Sequence, residues 1–346
     1  MDSIKGLKEY VRHPFYREAL GLPEEVTERY EMLAQGEYNR NYVFTHPVTG
    51  KKLVLRVNCG SQMHLRHQIE YEFHALKLLE SSGRTPKPFY VDGSLEYLDH
   101  GIMVMEFLPG TTLDYHKGLG GAAECLADIH SVKMPEEGMH TLITPENPLE
   151  AILDECEEMV KTYMESSLGE EEKKEKIREM LDTGWEIVRS IPNEPVYQCC
   201  VNTELNNTNF LVDEKGYTYL VDWEKPLYAD PAQDLGHFLA PTTTFWKTDV
   251  LLEREEMLDF LDTYIRAVAG RFDVTGLKKR AMQFTGITCL RGITWCAMAW
   301  VQYREPGKML FNQSTFEKLN AYLDTDFLEK MHQFLKDTFC MQIKFT

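Results

Sequence analysis

The sequence predicts an α+β protein of two lobes, a small antiparallel β-sheet lobe and a larger, mainly helical lobe. Between about Arg29 and Val57, apolar and polar residues alternate and Tyr, Val and Phe are frequent, as in β-strands. Residues 64–80 repeat apolar side chains at helical spacing, and much of the chain after residue 110 does the same. This change of period separates a sheet region from a helical region.

The first lobe is expected to span residues 1–107. A turn at Pro47–Gly50 divides the alternating region, and Leu108-Pro109-Gly110 marks the end of the lobe because Pro and Gly interrupt regular structure. The expected elements are a helical lead-in closed by Pro23, three antiparallel strands over 29–57, one amphipathic helix over 64–80, and strands at 89–91 and 101–107.

The second lobe is expected to span residues 108–346 and to consist mainly of helices. Residues 196–222 interrupt the helical pattern with a strand, a polar loop and two short strands joined by a turn. Polar loops supported by apolar strands often carry functional residues. The helices are expected at about 118–131, 147–167, 170–190, 251–270, 275–303 and 315–338.

Composition and charge exclude several classes of protein. The chain has 37 Lys and Arg against 55 Asp and Glu, a net charge of −18, which argues against binding to nucleic acid or to anionic lipid. No apolar run is long enough to span a membrane, and the start lacks the apolar core of a secretory signal, so we expect a cytoplasmic protein. Eight scattered Cys without a CxxC pair indicate reduced thiols and no zinc site.

The polar loop contains residues suited to phosphate chemistry. Glu204 and Asn209 lie five positions apart, and Asp222 ends the following hairpin. Asn and Asp oxygens are hard ligands for the Mg²⁺ that accompanies nucleotide phosphates, and a nearby carboxylate can accept a proton from an attacking hydroxyl. The alternative is that Asn206 and Asn207, with Asn209, only stabilise a tight turn.

The pattern around this loop resembles the aminoglycoside phosphotransferase and choline kinase family, the small-molecule kinases of the protein-kinase-like fold. Residues 201–212 are similar to the family's catalytic loop, 219–224 to its metal-binding Asp-Trp-Glu, and 230–235 to its Asp-Pro-x-x-Asp-Leu anchor, in the same order and at similar intervals. The resemblance extends from about Arg29 to the C-terminal helices. It implies the protein-kinase-like form of the α+β fold, with a nucleotide cleft between the lobes.

The resemblance assigns roles to residues of the second lobe. Asn209 and Asp222 match the metal ligands, Glu204 matches the catalytic carboxylate, and Asp234 matches a buried carboxylate that holds the catalytic loop by hydrogen bonds. The implied function is transfer of the γ-phosphate of ATP, with Mg²⁺, to a hydroxyl of a small molecule. Aminoglycoside-, choline- and sugar-like acceptors all fit this class, and the sequence does not indicate an oligomeric state.

The resemblance also assigns nucleotide-binding residues in the first lobe. Gly36 lies in a segment similar to the nucleotide-covering turn, and Arg56 takes the position of the cation that neutralises the phosphates. A carboxylate on the following helix should pair with Arg56, with Glu72 the first choice and Glu70 the second. Backbone groups of Glu106 and Phe107 would meet the adenine. The alternatives are a solvated charge for Arg56 and core packing for Phe107.

Two residues depart from the family pattern. Asn202 and Glu204 stand where the family carries His and Asp. Asn202 can still brace the loop by hydrogen bonds, but the extra methylene of Glu204 displaces its carboxylate by about one bond, and misplacement of about 1 Å can cost about 100-fold in rate. A nucleotide-binding pseudokinase or regulatory module is therefore the alternative function. A protein kinase is disfavoured because an Asp-Phe-Gly and an Ala-Pro-Glu segment are absent.

The acceptor-binding residues are less well indicated. Residues 154–172 hold eight acidic residues and one Lys, which would suit a cationic acceptor or simply form a solvated helix face. Aromatic side chains could bind a quaternary ammonium or a sugar, or could be core. His237 is expected to be structural. The aromatic candidates are Phe245, Trp246, Trp295, Trp300 and Tyr303.

Overall fold

The computed structural model describes residues 4–36, 38–61, 63–136, 141–192, 194–304 and 313–340. Glu37 of the predicted nucleotide-covering turn and the side chain of Cys340 lie outside the described residues. The other seven Cys are free thiols, six of them buried, so among the described residues the expectation of no disulfides is confirmed. Among these residues, no helix combines the length and the apolar character needed to cross a bilayer.

The sheet lobe contains five antiparallel strands in the order β1-β2-β3-β5-β4. The three strands predicted over 29–57 and the two that follow the helix are all present, which confirms this part of the fold. The strands are β1 (Glu31–Gln35), β2 (Asn39–Thr45), β3 (Lys52–Asn58), β4 (Pro88–Asp92) and β5 (Gly101–Glu106).

Both faces of this sheet are covered. The lead-in helices α1 (Leu7–Tyr10) and α2 (Pro14–Leu20) pack on one face, and α3 (Gln68–Leu79) covers the other. Side chains of a strand alternate between the two faces, so Leu55 and Val57 of β3 point to the lead-in helices and Arg56 points the other way. A guanidinium is thereby buried in an otherwise apolar strand.

The helical lobe matches the predicted helices closely, with two additions and one correction. Two short helices were not predicted: α7 (Ala232–Leu239), which begins within the Asp-Pro-x-x-Asp-Leu segment, and α8 (Pro241–Thr248), which follows it. The helix predicted over 315–338 is two helices, because Asp324 accepts a hydrogen bond from the N–H of Asp326 and so begins a new helix. The helices are α4 (Tyr115–His130), α5 (Pro148–Glu165), α6 (Glu171–Arg189), α7 (Ala232–Leu239), α8 (Pro241–Thr248), α9 (Arg254–Val268), α10 (Leu277–Arg304), α11 (Gln313–Tyr322) and α12 (Thr325–Cys340).

Short strands carry the polar loop. The predicted strand and hairpin are β7 (Cys199–Val201), β8 (Phe210–Val212) and β9 (Thr218–Leu220), and they are joined by two strands that were not predicted, β6 (Thr111–Thr112) and β10 (Leu227–Ala229). β10 pairs with β7, and β6 pairs with β8, both antiparallel. The loop between β7 and β8 is thus held at both ends by backbone pairing.

The long helix α10 is the centre of the helical lobe. It is buried along most of its length, and it packs against α5 and α7. At Gly236 of α7 the two helices touch, because a Cβ built there would lie 2.4 Å from Cβ of Phe284 and 2.7 Å from the carbonyl oxygen of Ala281. Only a residue without a side chain allows this approach, and the approach places the start of α7 beneath the polar loop.

We expect Gly236→Ala to destabilise the protein by about 2–4 kcal/mol, because the added methyl group overpacks the contact between α7 and α10. The matched control is Gly120→Ala, since Gly120 is an exposed helical residue with no atom within 4 Å of an added Cβ. That change should stabilise α4 by up to about 1 kcal/mol through helix propensity. Urea unfolding measures both effects, and a Gly236→Ala protein as stable as wild type would contradict the packing argument.

Candidate active site

A buried carboxylate anchors the polar loop after β7. Asp234 of α7 is 0% exposed, and its two oxygens accept hydrogen bonds from the backbone N–H groups of Asn202 (2.8 Å) and Thr203 (2.7 Å). The imidazole of His130 lies 3.1 Å from the same carboxylate and 2.8 Å from the hydroxyl of Tyr264. The predicted loop-holding role of Asp234 is confirmed.

The anchored loop has an unusual backbone conformation. Thr203 has φ +71°, a left-handed conformation that β-branched residues rarely adopt. The two bonds to Asp234 and a third, from the Thr203 hydroxyl to the carbonyl of Lys225 (2.7 Å), hold it there. Asn202 braces the same loop, as predicted, because its amide donates to the carbonyl of Asp222 at 2.8 Å and accepts from the N–H of Glu204 at 3.2 Å.

Asn209 and Asp222 lie next to each other below this loop. The N–H of Val221 donates to the carbonyl of Asn209 at 2.8 Å, which places Asn209 and Asp222 on adjacent, hydrogen-bonded segments. The Asn209 amide oxygen also accepts the N–H of Asn206 at 3.1 Å, so the turn-stabilising interpretation of these asparagines is correct. It does not exclude metal binding, because an amide oxygen has a second lone pair.

Arg56 is buried among three carboxylates. Its side chain is 3% exposed, with Nε 3.1 Å from Glu72 and Nη2 2.8 Å from Asp222 and 2.9 Å from Glu224. The alternative of a solvated charge is therefore wrong. Glu72 is the partner on α3, whereas Glu70 faces outward and contacts His67 at 2.9 Å. Glu224 was not predicted as a site residue, although it belongs to the Asp-Trp-Glu segment.

The electrostatics of this Arg56 cluster favour a further cation. Burial raises the pKa of Glu72 to about 7, against the opposing charge of Arg56. Burial and the charge of Asp222 raise the pKa of Glu224 to about 8. Burial alone would lower the pKa of Arg56, but the three carboxylates outweigh it and raise that pKa. Three carboxyl groups around one guanidinium oppose one another's ionisation, so a bound cation would lower the raised pKa values of Glu72 and Glu224. The oxygens of Asp222 and Asn209 have the ligand chemistry that Mg²⁺ requires.

The predicted nucleotide-covering turn is tied to the same cluster. Gly36 donates its N–H to the carbonyl of Asn39 at 2.9 Å, which closes the turn between β1 and β2. Asn39 in turn donates from its amide to Glu224 at 2.6 Å. This bond joins the turn of the sheet lobe to the Asp-Trp-Glu segment of the helical lobe. The nucleotide contact of Gly36 stays a prediction.

Glu106, predicted to contact the adenine, is the last residue of β5, and Phe107 follows it. The N–H of Glu106 donates to the carbonyl of Lys87 at 2.8 Å, and the N–H of Phe107 donates to the carbonyl of Lys52 at 3.3 Å. Phe107 is half-buried, with Nζ of Lys52 5.5 Å from its ring centroid. Both amides are thus engaged within the protein, and the adenine contacts of these residues stay predictions.

Glu204 contacts a residue that the sequence did not indicate. Its carboxylate accepts a hydrogen bond from Nη2 of Arg291 on α10 at 3.1 Å, and its side chain is 31% exposed. Arg291 also donates from Nε to Glu155 at 2.8 Å, and Glu155 accepts a bond from Lys225 at 2.7 Å. No local pattern points to Arg291, which lies 87 positions from Glu204 on a buried helix.

Most acidic residues of the stretch 154–172, one of the two possible acceptor-binding sets, lie on the protein surface. Of the acidic stretch 154–172, Glu155 is neutralised by the two cations above and Glu157 accepts from the indole of Trp185. The other six acidic residues are exposed on α5, α6 and their connection, so the solvated-face interpretation fits most of the stretch.

The aromatic candidates pack into or against the core, in agreement with the alternative that they are core residues. Trp246 and Trp295 meet edge to face at 5.3 Å, and Trp300 lies 5.8 Å from Tyr163. His237 is structural, as expected. Its Nδ1–H donates to the carbonyl of Leu205 at 2.9 Å.

A comparison with protein families gives a match. The sequence profile of the phosphotransferase enzyme family matches residues 29–269. A comparison with curated proteins gives no match.

Three solved structures share the fold at low identity. Spectinomycin phosphotransferase APH(9)-Ia, solved with ADP and spectinomycin, is 14% identical with a TM-score of 0.60 over 97% of this chain and 98% of that one. A choline/ethanolamine kinase family protein of Mesorhizobium loti is 17% identical with a TM-score of 0.57, over 94% and 98% of the two chains. Plasmodium vivax ethanolamine kinase is 16% identical with a TM-score of 0.62, over 93% and 88%. These likenesses confirm the predicted kinase-like fold class.

We expect Asp234→Asn to lower the free energy of unfolding by about 2–4 kcal/mol, because an amide cannot accept both backbone N–H groups and the loop loses its anchor. Asp213→Asn is the matched control. Asp213 also accepts two backbone N–H groups, from Lys215 and Tyr217, but in an exposed turn, so its loss should cost less than about 1 kcal/mol. Equal losses in urea unfolding would contradict an anchoring role for Asp234.

Protonation of His237 should destabilise the fold in acid. Burial and the neighbouring charge of Arg291 lower its pKa from 6.5 to about 4. The unfolded chain then binds the proton more tightly, so the stability that His237 contributes is complete above about pH 6.5 and is lost as the pH falls to about 4. In His237→Asn, the decrease in melting temperature between pH 7 and pH 4.5 should be smaller. The same change at exposed His116 should leave the decrease unaltered.

Proposed function

Since the chain belongs to the phosphotransferase enzyme family, whose members act on hydroxyl groups of small molecules, we propose that it transfers the γ-phosphate of ATP and that Glu204, Asn209 and Asp222 form the reaction centre. The observation that supports this proposal is a chain of hydrogen bonds through Asp222. The anchored loop bonds the carbonyl of Asp222 through Asn202, the side chain of Asp222 bonds the buried Arg56, and the N–H of the preceding Val221 bonds the carbonyl of Asn209. Solved relatives of the same fold with bound ADP or AMP support a nucleotide donor.

The donor side of the site is assigned to the Arg56 cluster. Asp222 and Asn209 would hold Mg²⁺, which when bound would neutralise negative charge on the phosphate oxygens. Arg56 would donate N–H groups to the same phosphates, and Glu72 holds its guanidinium from the side of α3. Arg56 already donates a hydrogen bond to Asp222 at 2.8 Å, so Asp222 and the phosphate oxygens would both accept hydrogen bonds from its guanidinium.

Glu204 is assigned to the acceptor hydroxyl. An ionised carboxylate only accepts hydrogen bonds, so Glu204 would orient the hydroxyl by accepting its hydrogen. As the acceptor oxygen bonds the γ-phosphorus, the bond from that phosphorus to the bridging oxygen would break and ADP would leave, while the hydroxyl proton would be held at a carboxylate oxygen of Glu204. Phosphoryl transfer needs positioning and charge neutralisation more than a strong base. The alternative of a nucleotide-binding pseudokinase is not supported by the family membership.

An amine-bearing alcohol is the acceptor class to test first. Solved structures of the same fold include kinases of choline or ethanolamine and a phosphotransferase with spectinomycin bound. The net charge of −18 favours encounter with cations. We place the cleft between residues 1–107 and 108–346. The seven free thiols among the described cysteines support a reducing compartment such as the cytoplasm.

The test is transfer of label from γ-labelled ATP with Mg²⁺ to choline, ethanolamine, aminoglycosides and neutral sugars. We expect Glu204→Gln to lose at least about 100-fold in kcat with little change in ATP affinity. Asp222→Asn should lose both turnover and the rise in melting temperature that MgATP gives to wild type. Glu158→Gln is the control, because Glu158 is exposed on the surface of α5 and pairs there with Lys161.

Three outcomes decide the assignment. A labelled product from wild type alone establishes the reaction and identifies the acceptor by its mass. Turnover of Glu204→Gln at the wild-type rate would show that Glu204 is not part of the reaction centre. Binding of MgATP without transfer to any acceptor and without ATP hydrolysis contradicts the proposed phosphotransfer.

A further inference from the structure

We propose that Arg291 is a positioning residue that fixes the carboxylate of Glu204 for phosphoryl transfer, an inference that rests on the proposed function. Glu204 is held on its backbone by Asn202, but its side chain extends beyond the loop toward α10. There Nη2 of Arg291 donates to its Oε1 at 3.1 Å. The charged hydrogen bond therefore acts on the part of the residue that the loop anchor does not restrain.

The need for such a contact follows from the length of glutamate. Glu has one more rotatable bond than Asp, so a Glu carboxylate can occupy more positions and loses more conformational entropy when one is selected. Catalysis tolerates little of this freedom, since misplacement of about 1 Å can cost about 100-fold in rate. A charge-assisted bond from a guanidinium restricts the carboxylate in direction as well as in distance. The side chain of Arg291 is 16% exposed, which limits screening of this bond by solvent.

Arg291 is itself held in place from a second direction. Its Nε donates to one oxygen of Glu155 on α5 at 2.8 Å, and the other oxygen of Glu155 accepts from Lys225 at 2.7 Å. The carbonyl of Lys225 accepts from the hydroxyl of Thr203, the residue before Glu204. The contacts form a closed circuit that starts and ends at the catalytic loop. A rigid donor can position its acceptor, whereas a mobile surface arginine cannot.

The charge balance of this circuit indicates positioning and not ligand binding. Lys225 and Arg291 are matched by Glu155 and Glu204, so the group carries no excess charge. The Arg56 cluster is different, because it has three carboxylates for one cation. We therefore assign ion and phosphate binding to the Arg56 cluster and orientation of Glu204 to Arg291.

The decisive experiment changes Arg291 in two backgrounds. In wild type, Arg291→Met should lower kcat on the order of 10- to 100-fold with the KM for ATP changed less than about 3-fold. In a Glu204→Asp background, the same change should cost less than about 3-fold, because the shorter carboxylate ends about one bond farther from Arg291. Arg291→Lys retains the charge without the planar fork, so it should recover part of the lost kcat.

Arg280→Met is the matched control. Arg280 is on the same helix, has similar exposure and pairs with Asp230 at 2.5 Å, but it does not contact Glu204. Its loss should change kcat less than about 3-fold in either background. Equal loss of kcat from Arg291→Met in both backgrounds, or wild-type kcat in Arg291→Met, overturns the inference.

Melting temperatures test the contact without any turnover. Glu204→Gln should shift the melting temperature in wild type and should shift it less in Arg291→Met, because the bond from Arg291 is already absent there. The same shift in both backgrounds shows that the contact is not formed and overturns the inference. A wild-type protein that transfers no phosphate but shows the coupling contradicts the proposed function and leaves Arg291 as the residue that fixes Glu204.

Discussion

The site depends on one buried carboxylate, Asp234, and the two backbone N–H groups that it accepts. A fully buried carboxylate is costly unless its oxygens are satisfied, and a left-handed threonine is costly unless its surroundings impose it. Here the same hydrogen bonds offset both costs. The hydrogen bonds from Asn202 and Thr203 satisfy the carboxylate of Asp234. In return, Asp234 holds Thr203 in its left-handed conformation, so that Asn202 and Glu204 on either side of it face different parts of the protein. Asn202 faces the Asp-Trp-Glu segment, and Glu204 faces α10.

Two groups of charges lie on either side of this anchored loop. On the side of the sheet lobe, three carboxyl groups surround the one guanidinium of Arg56. On the side of α5 and α10, acidic and basic groups are equal in number. The two groups therefore differ in charge balance, and this difference underlies the separate tasks that we propose for them.

The segment 222–225 connects the two groups. Asp222 and Glu224 contact Arg56, whereas the next residue, Lys225, contacts Glu155 and accepts a bond from Thr203. A displacement of this segment would therefore move Asp222 and the loop after β7 together. Asn39 adds a link to the turn between β1 and β2, through its 2.6 Å bond to Glu224. The turn of the sheet lobe is thereby connected to both groups of charges.

The sequence by itself determined the features that depend on neighbours along the chain. Alternation over 29–57 and helical spacing after residue 110 were enough for the element types and for the two-lobe fold class, because side-chain period is a local property. The ordered motifs over 201–235 were enough for the family and for the anchoring role of Asp234. The break at Asp324 was missed, because a cap is a single hydrogen bond that spacing does not reveal.

Only the tertiary structure decided which distant groups meet. It selected Glu72 over Glu70 for Arg56, added Glu224, and paired Glu204 with Arg291. It also placed the aromatic candidates against the core and most of the acidic stretch on the surface. The reason is physical: these outcomes depend on how α3, α5 and α10 rotate and pack against the sheet and the loop. Side-chain spacing within one element carries no information about that packing.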